Sequence, residues 1–166
     1  GKSRIGYFKG ICTVVLKLFN IIQPDRAYFG QKDIQQACVI KKMIEDLNLD
    51  IKLKIMPIVR EEDGLALSSR NVYLTGENRK IASLLYKGLL SAKAKYDNGI
   101  SDVAKLILLV KKVLESSPKL KIDYVEIVSV ENFQKLDVIN ETAVLAIAVD
   151  LEGTRLIDNM ILKKFK

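Results

Sequence analysis

Apolar residues return every three or four positions along the first part of the chain and every second position in other parts, and these two periods mark out the elements. Val14, Val15, Leu18, Phe19 and Ile22 recur at helical spacing between Phe8 and Ile22, and Gln23-Pro24-Asp25 ends that helix. Arg26 to Gly30 ("RAYFG") is short and aromatic, which predicts a buried strand closed by a glycine that can take conformations other residues resist. From Asp33 onward, Ala37, Ile40, Ile44 and Leu47 form one stripe on a second helix, with Asp33 placed to cap it. Ile51, Leu53 and Ile55 then alternate with Lys52 and Lys54 as in a strand, until Pro57 stops regular pairing. Helix, strand, helix, strand is the rhythm of a parallel α/β unit.

Periodicity lapses at Arg60 to Asn71 ("REEDGLALSSRN"), a polar stretch around one glycine, and the domain boundary is placed there. The expected domains are residues 1–59 and 60–166. Thr75 is expected to cap a long amphipathic helix with the stripe Ile81, Leu84, Leu85, Gly88, Leu89, Ala92 and Tyr96, stopped by Asn98-Gly99. Ser101 is expected to cap the next helix, Val103 to Leu114, before Ser116-Ser117-Pro118. In the strand from Ile122 to Val130 both alternating sets are largely apolar, which predicts cover on both faces. Ala143 to Val149 and Thr154 to Leu162 flank Glu152-Gly153, an antiparallel hairpin signal. The second half therefore reads as a small α+β domain.

Composition narrows the function. With 166 residues, 49% hydrophobic and 28% charged, the chain can fill one core or two small ones. Apolar runs such as Ala143 to Val149 fall far short of the roughly 20 residues that cross a bilayer, and no basic leader precedes an apolar segment. The expectation is a soluble, cytoplasmic protein with no membrane partner. Cys12 and Cys38 lie within apolar helical patterns and are expected to be free, core-packed thiols. The absence of histidine removes histidine acid–base chemistry and histidine metal ligation, and no metal ligands are assigned. The net charge of +7 comes from dispersed basic residues, including the pairs Lys41-Lys42, Lys111-Lys112 and Lys163-Lys164, which suit solvated surfaces rather than a nucleic-acid partner.

Two loops carry candidate chemistry. In "FGQKDIQQ", Lys32 and Asp33 sit at a helix start, where unpaired backbone N–H groups attract anions. Asp33 could instead accept from vicinal hydroxyls, and Gln36, one turn on, offers both donors and acceptors. In the second loop, Ser68, Ser69 and Arg70 set two hydroxyls beside a guanidinium that matches phosphate bidentately, so the two loops could clamp a triphosphate. On spacing alone the plainer readings are favoured for each: a capping aspartate beside a surface lysine, and a polar interdomain linker with a turn-forming serine pair.

Taken together, "FNIIQPDRAYFGQKDIQQ", "IVREEDGLALSSRNVYL" and "GTRLIDN" resemble the pantothenate synthetase (pantoate–β-alanine ligase) family, in the family's order and across essentially the whole chain. The resemblance implies an incomplete Rossmann-like nucleotidylyltransferase domain, with parallel strands and helices, followed by a small α+β domain with an antiparallel sheet. It implies that Gly30, Gln31, Lys32 and Asp33 match an ATP-binding stretch, with Lys32 toward phosphate and Asp33 toward ribose. It further implies that Gln36 holds pantoate, that the Val59 backbone meets adenine, and that Leu67, Ser68, Ser69 and Arg70 form the phosphate-gripping loop. Lys32, Ser68 and Arg70 are the implied catalytic residues. The implied reaction uses ATP and Mg²⁺ to join pantoate to β-alanine through pantoyl adenylate, in an enzyme that is typically a homodimer.

The chain departs from the family where the latter usually has histidine-phenylalanine-arginine-glycine; here the residues are Tyr7-Phe8-Lys9-Gly10. Tyrosine carries no positive charge near neutral pH, which lowers the electrostatic support expected at that position. The resemblance also implies that the chain corresponds to the C-terminal part of the family's enzymes, without the histidine signature that grips ATP. The isolated chain is therefore expected to bind nucleotide weakly and not to turn over. Two other readings stand beside the ligase: a non-catalytic dimerisation or interaction domain, and a basic phosphate-binding or nucleic-acid-binding remnant.

Overall fold

The computed structural model describes residues 6–164, which fall into two compact units, Gly1–Ile58 and Val59–Lys166. The first unit consists of α1 (Tyr7–Ile22), β1 (Arg26–Gly30), a 3-10 turn (Gln31–Asp33), α2 (Ile34–Asp46) and β2 (Lys52–Met56). β1 and β2 are parallel, in register from Arg26 opposite Lys52 to Gly30 opposite Met56. The α1 helix stops where Gln23 turns left-handed and returns its N–H to the Phe19 carbonyl at 2.8 Å, after which Pro24 cannot continue it.

The small core of this unit gathers Phe19 from α1 and Ile40 and Ile44 from α2, with Ile11, Cys12, Val15, Ala27, Phe29 and Leu53 against them. Both cysteines are free and half-buried, and burial pushes the Cys38 thiol up. Three readings are corrected. β1 is not a buried strand: Ala27 and Phe29 face the core while Arg26, Tyr28 and Gly30 are exposed, because the helices cover one face of a sheet that, among the described residues, has two strands. Val14, Leu18 and Ile22 of α1 and Leu47 after α2 are likewise exposed, since the facing elements reach only part of each apolar girdle. Finally, Asp33 stands at the N-cap position of α2 without making a side-chain capping bond.

The second unit holds α3 (Gly76–Ala82), α4 (Leu84–Asp97), α5 (Val103–Leu114), β3 (Leu120–Ser129), β4 (Ala143–Leu151) and β5 (Thr154–Leu162). Its antiparallel sheet has the order β3-β4-β5. Leu85, Leu89, Ala92 and Tyr96 of α4 and Leu106, Val110 and Leu114 of α5 pack with Leu145, Ile147 and Val149 of β4, all at most 1% exposed. Each such leucine contributes about 2 kcal/mol by leaving water. β4 and β5 are joined by Glu152 (φ 49°) and Gly153 (φ 88°), the left-handed pair that a two-residue hairpin demands.

Here too the local readings shift. The expected long helix breaks at Ser83, whose hydroxyl donates to the Lys80 carbonyl at 2.8 Å and so competes with the ladder. Thr75 precedes α3 without a side-chain cap. Asp102, not Ser101, caps α5: its carboxylate accepts from the Lys105 N–H at 2.9 Å. β3 is buried on successive residues only at Ile127–Ser129; nearer its start, Lys121 and Asp123 are exposed because it is an edge strand with a bulge between Ile122 and Tyr124. Among the described residues no helix is long and apolar enough to cross a membrane.

Candidate functional site

In the first unit the predicted residues gather at one turn. β1 ends at Gly30, the chain winds through Gln31, Lys32 and Asp33, and α2 starts at Ile34. This is the carboxyl end of a parallel strand, where α/β sheets receive ligands. Gln36 follows Asp33 by three residues, in the first turn of α2. Gln31, Lys32 and Gln36 are half-buried and Asp33 is exposed. Because Asp33 makes no capping bond, its carboxylate does not occupy the N–H groups of the first turn of α2.

Gly30 does not use the conformational freedom expected of it. Its φ of −77° and ψ of 135° are ordinary extended backbone, and an added Cβ would meet nothing within 4 Å. Conformational freedom therefore does not explain the glycine; the bare Cα leaves open space at the mouth of the turn.

The second loop is an ordered hairpin rather than a linker. The Leu67 N–H donates to the Val59 carbonyl at 2.9 Å, Arg60 bridges to Ala66, and the Glu61 N–H donates to the Leu65 carbonyl at 2.9 Å. Val59 and Leu67 are thus adjacent and, like Ser69 and Arg70, exposed. Ser68 is extended and its hydroxyl accepts from the Arg70 N–H at 3.3 Å, opening a 3-10 turn over Ser69–Tyr73. At the hairpin bend Gly64 does need to be glycine: its φ is +88°, and a Cβ there would run into the Tyr86 ring.

Side chains overlooked in the sequence pin the hairpin down. Arg60 grips the fully buried Asp158 of β5 with two bonds, Nη1–Oδ2 at 2.6 Å and Nη2–Oδ1 at 3.0 Å. It also donates to the Gly64 carbonyl at 3.0 Å and lies 3.9 Å above the Tyr86 ring. Glu61 accepts from Arg79 of α3 at 3.1 and 2.5 Å and from the Asn71 amide at 2.6 Å. The bonds from Arg79, then Asn71, hold the Glu61 carboxyl below its ordinary range, and the same partnership raises Arg79. The charge cluster Arg60-Glu61-Glu62-Asp63 was the visible signal, and it was masked by the linker-like composition around it.

Three arginines serve this segment, and two of them are committed. Arg60 is held by Asp158, and Arg79 by Glu61 and Asp63. Among the described residues the exposed Arg70 side chain makes no ion pair or hydrogen bond. The arrangement offers one guanidinium and two serine hydroxyls to a ligand on a braced support, a donor set suited to phosphate.

Comparison with known proteins identifies the family. The sequence pattern of the pantoate-beta-alanine ligase family matches residues 1–161. The pantothenate synthetase of Thermosipho africanus is 55% identical over 162 residues, covering 98% of this chain and 58% of that protein. That of Caldicellulosiruptor saccharolyticus is 50% identical over 163 residues, with the same two shares. The crystal structure of pantothenate synthetase from Thermus thermophilus superimposes with a TM-score of 0.92 at 43% identity, covering 96% of this chain and 58% of that one. A pantoate-beta-alanine ligase from Francisella tularensis, solved complexed with beta-gamma ATP and beta-alanine, superimposes at 0.69 with 34% identity, covering 97% of this chain and 52% of that one. The chain spans 58% of the length of these curated relatives. With its match running from residue 1 to residue 161, this chain belongs to the pantoate-beta-alanine ligase family.

Proposed function

We propose that the chain supplies ATP-handling and pantoate-handling residues of a pantothenate synthetase, which condenses pantoate with β-alanine at the expense of ATP. The observation that carries the reading is the contrast among the three arginines around the loop: Arg60 and Arg79 are tied to carboxylates while Arg70 is displayed beside Ser68 and Ser69. A phosphate ligand is what that contrast suits.

In the proposed reaction a pantoate carboxylate oxygen attacks the α-phosphorus of ATP, the bond to the bridging oxygen breaks, and pyrophosphate leaves. The amine of β-alanine then attacks the acyl carbon of pantoyl adenylate; the carbon–oxygen bond to AMP breaks, and the nitrogen loses a proton to give pantothenate. Negative charge accumulates in the first step as one anion meets another, and Lys32, Ser68 and Arg70 are assigned to offset it. Asp33 is assigned to the ribose hydroxyls, Gln36 to pantoate, and Gly30, Gln31, Val59, Leu67 and Ser69 to the remaining nucleotide contacts. The domain holding Gly30 to Gln36 would handle ATP and pantoate, and the following domain would carry the phosphate loop.

Mg²⁺ would supply additional charge neutralisation at the phosphates. Among the described residues no group of three or more cysteine or carboxylate side chains is placed to hold a metal. Mg²⁺ commonly reaches such sites bound to phosphate oxygens with one or two carboxylates.

The same proposal makes the enzyme a cytoplasmic homodimer, and Val14, Leu18, Ile21 and Ile22 are exposed apolar surface that an assembly could bury. Sedimentation of the complete protein tests that part. The chemistry is tested by product analysis of the complete protein. ATP with pantoate is expected to release pyrophosphate, and β-alanine is expected to bring out AMP and pantothenate. Release of ADP and phosphate instead would overturn the assignment.

A further inference from the structure

Glu61 and Asn71 stand at the two ends of the segment that carries the serines and Arg70. The Asn71 amide nitrogen donates both to Glu61 Oε1, at 2.6 Å, and to the Ala66 carbonyl, at 3.2 Å, so that one side chain draws the ends together. Arg79 also holds Glu61, at 3.1 Å on the same Oε1 and at 2.5 Å on Oε2. The same guanidinium reaches Asp63 at 3.0 and 3.2 Å, and Asp63 in turn accepts the Leu65 N–H at 3.0 Å. Within the turn, the Asn71 N–H donates to the Ser68 carbonyl at 3.0 Å, and the Leu74 N–H donates to the Asn71 carbonyl at 3.1 Å. Fixing the Asn71 side chain therefore fixes the backbone on either side of Arg70.

We propose that Glu61 is a positioning residue that holds the Ser68–Arg70 turn in its anion-accepting shape by acting through Asn71. The inference rests on the reading of that turn as a phosphate loop and adds a residue that touches no substrate. Its sign separates it from simple electrostatics. Glu61 is a carboxylate in the same short loop as an anion-accepting arginine, so through-space charge alone would make its removal strengthen anion binding. If bracing dominates, removal weakens anion binding, because the turn must be ordered at the moment of binding.

The test uses this chain with inorganic pyrophosphate as the probe, followed by the NMR signal of the Arg70 side-chain N–H, together with amide exchange at residues 69–71. Glu61→Ala and Asn71→Ala are each expected to weaken the pyrophosphate response about tenfold, the size expected for losing a hydrogen bond to a charged group. The double variant is expected to be no weaker than either single one, since both remove one brace. Amide exchange at 69–71 should quicken in all three while the thermal midpoint of the core moves little. Glu61→Gln keeps a neutral acceptor for Asn71 and is expected to fall between wild type and Glu61→Ala, a second measure if the alanine variant folds poorly.

Unchanged or tighter pyrophosphate binding in Glu61→Ala, additive losses in the double variant, or unchanged exchange at 69–71 would each overturn the proposal. The wild-type Arg70 signal and the exchange data separate the two layers. If pyrophosphate produces no Arg70-dependent response even in the wild type, the phosphate-loop reading fails, while the exchange data still decide whether Glu61 orders the turn.

Discussion

Arg60 and Asp158, 98 positions apart in the sequence, meet through two hydrogen bonds of 2.6 and 3.0 Å, with the aspartate side chain fully buried and the arginine side chain 18% exposed. This pair moors the start of the hairpin that carries Ser68 to Arg70 to the strand β5. Buried pairs of this kind gain little net energy when intact, but losing one partner strands the other's charge. Asp158→Ala is therefore expected to cost about 3 kcal/mol of stability, read by urea unfolding. Replacing both members with apolar residues should cost less than the single change, and an equal or larger loss would contradict the account.

The two loop glycines should respond in opposite ways. Gly64→Ala forces a side chain to φ +88° and into the Tyr86 ring, so a loss of about 2 kcal/mol or more is expected. Gly30→Ala meets no neighbour and no backbone strain, so stability should hold or rise by about 0.5 kcal/mol. Thermal unfolding of both variants checks the contrast. Any loss of nucleotide binding in Gly30→Ala would then reflect ligand approach alone.

In the complete enzyme, Lys32→Ala and Arg70→Ala are each expected to slow adenylation about 10²-fold or more, the scale of a lost transition-state charge donor. Pyrophosphate release with ATP and pantoate is the measurement. Because Arg70 is exposed and among the described residues its side chain has no partner, its variant should keep the wild-type unfolding midpoint. Near-normal rates in both variants would refute the site.

Acid sensitivity has a defined sign. Hydrogen bonds from Arg79 and Asn71 hold Glu61 below its ordinary value of 4.5, so the folded state favours the charged form. The stabilisation is complete above that unfolded-state value and is lost as pH falls through the lower folded-state one. Glu77, held down by Lys119, behaves in the same way. Stability measured by urea unfolding should thus be flat near neutrality and fall below about pH 4.5, and Glu61→Gln should make that fall shallower. An identical slope would show that the Glu61 contacts contribute nothing.

The capping of α5 offers a local check. Asp102→Ala removes the acceptor of the Lys105 N–H and should cost about 1 kcal/mol, whereas Ser101→Ala should change little. Both are measured by thermal unfolding, and the reverse order would restore Ser101 as the cap.

The sequence determined the order and type of the elements. Periods of three to four and of two residues follow from which side of a helix or strand must be apolar, so α2, α5 and the β4–β5 hairpin stand where their patterns place them. It also determined the family, because three polar motifs kept their order across nearly the whole chain. Only the tertiary structure decided what those patterns faced. The apolar girdle of α1 is partly exposed, β1 is covered on one face, and Asp102 displaces Ser101 as a cap, since covering and capping depend on neighbours that local spacing does not name. The candidate loop shows the limit most clearly. A stretch with the composition of a linker is held as a hairpin by Asp158 and Arg79, residues contributed from 98 and 18 positions away. Hydrogen bonds and charge pairing act over a few ångströms of space whatever the separation along the chain, so it took folding to show which arginines are paired and that, among the described residues, the Arg70 side chain is not.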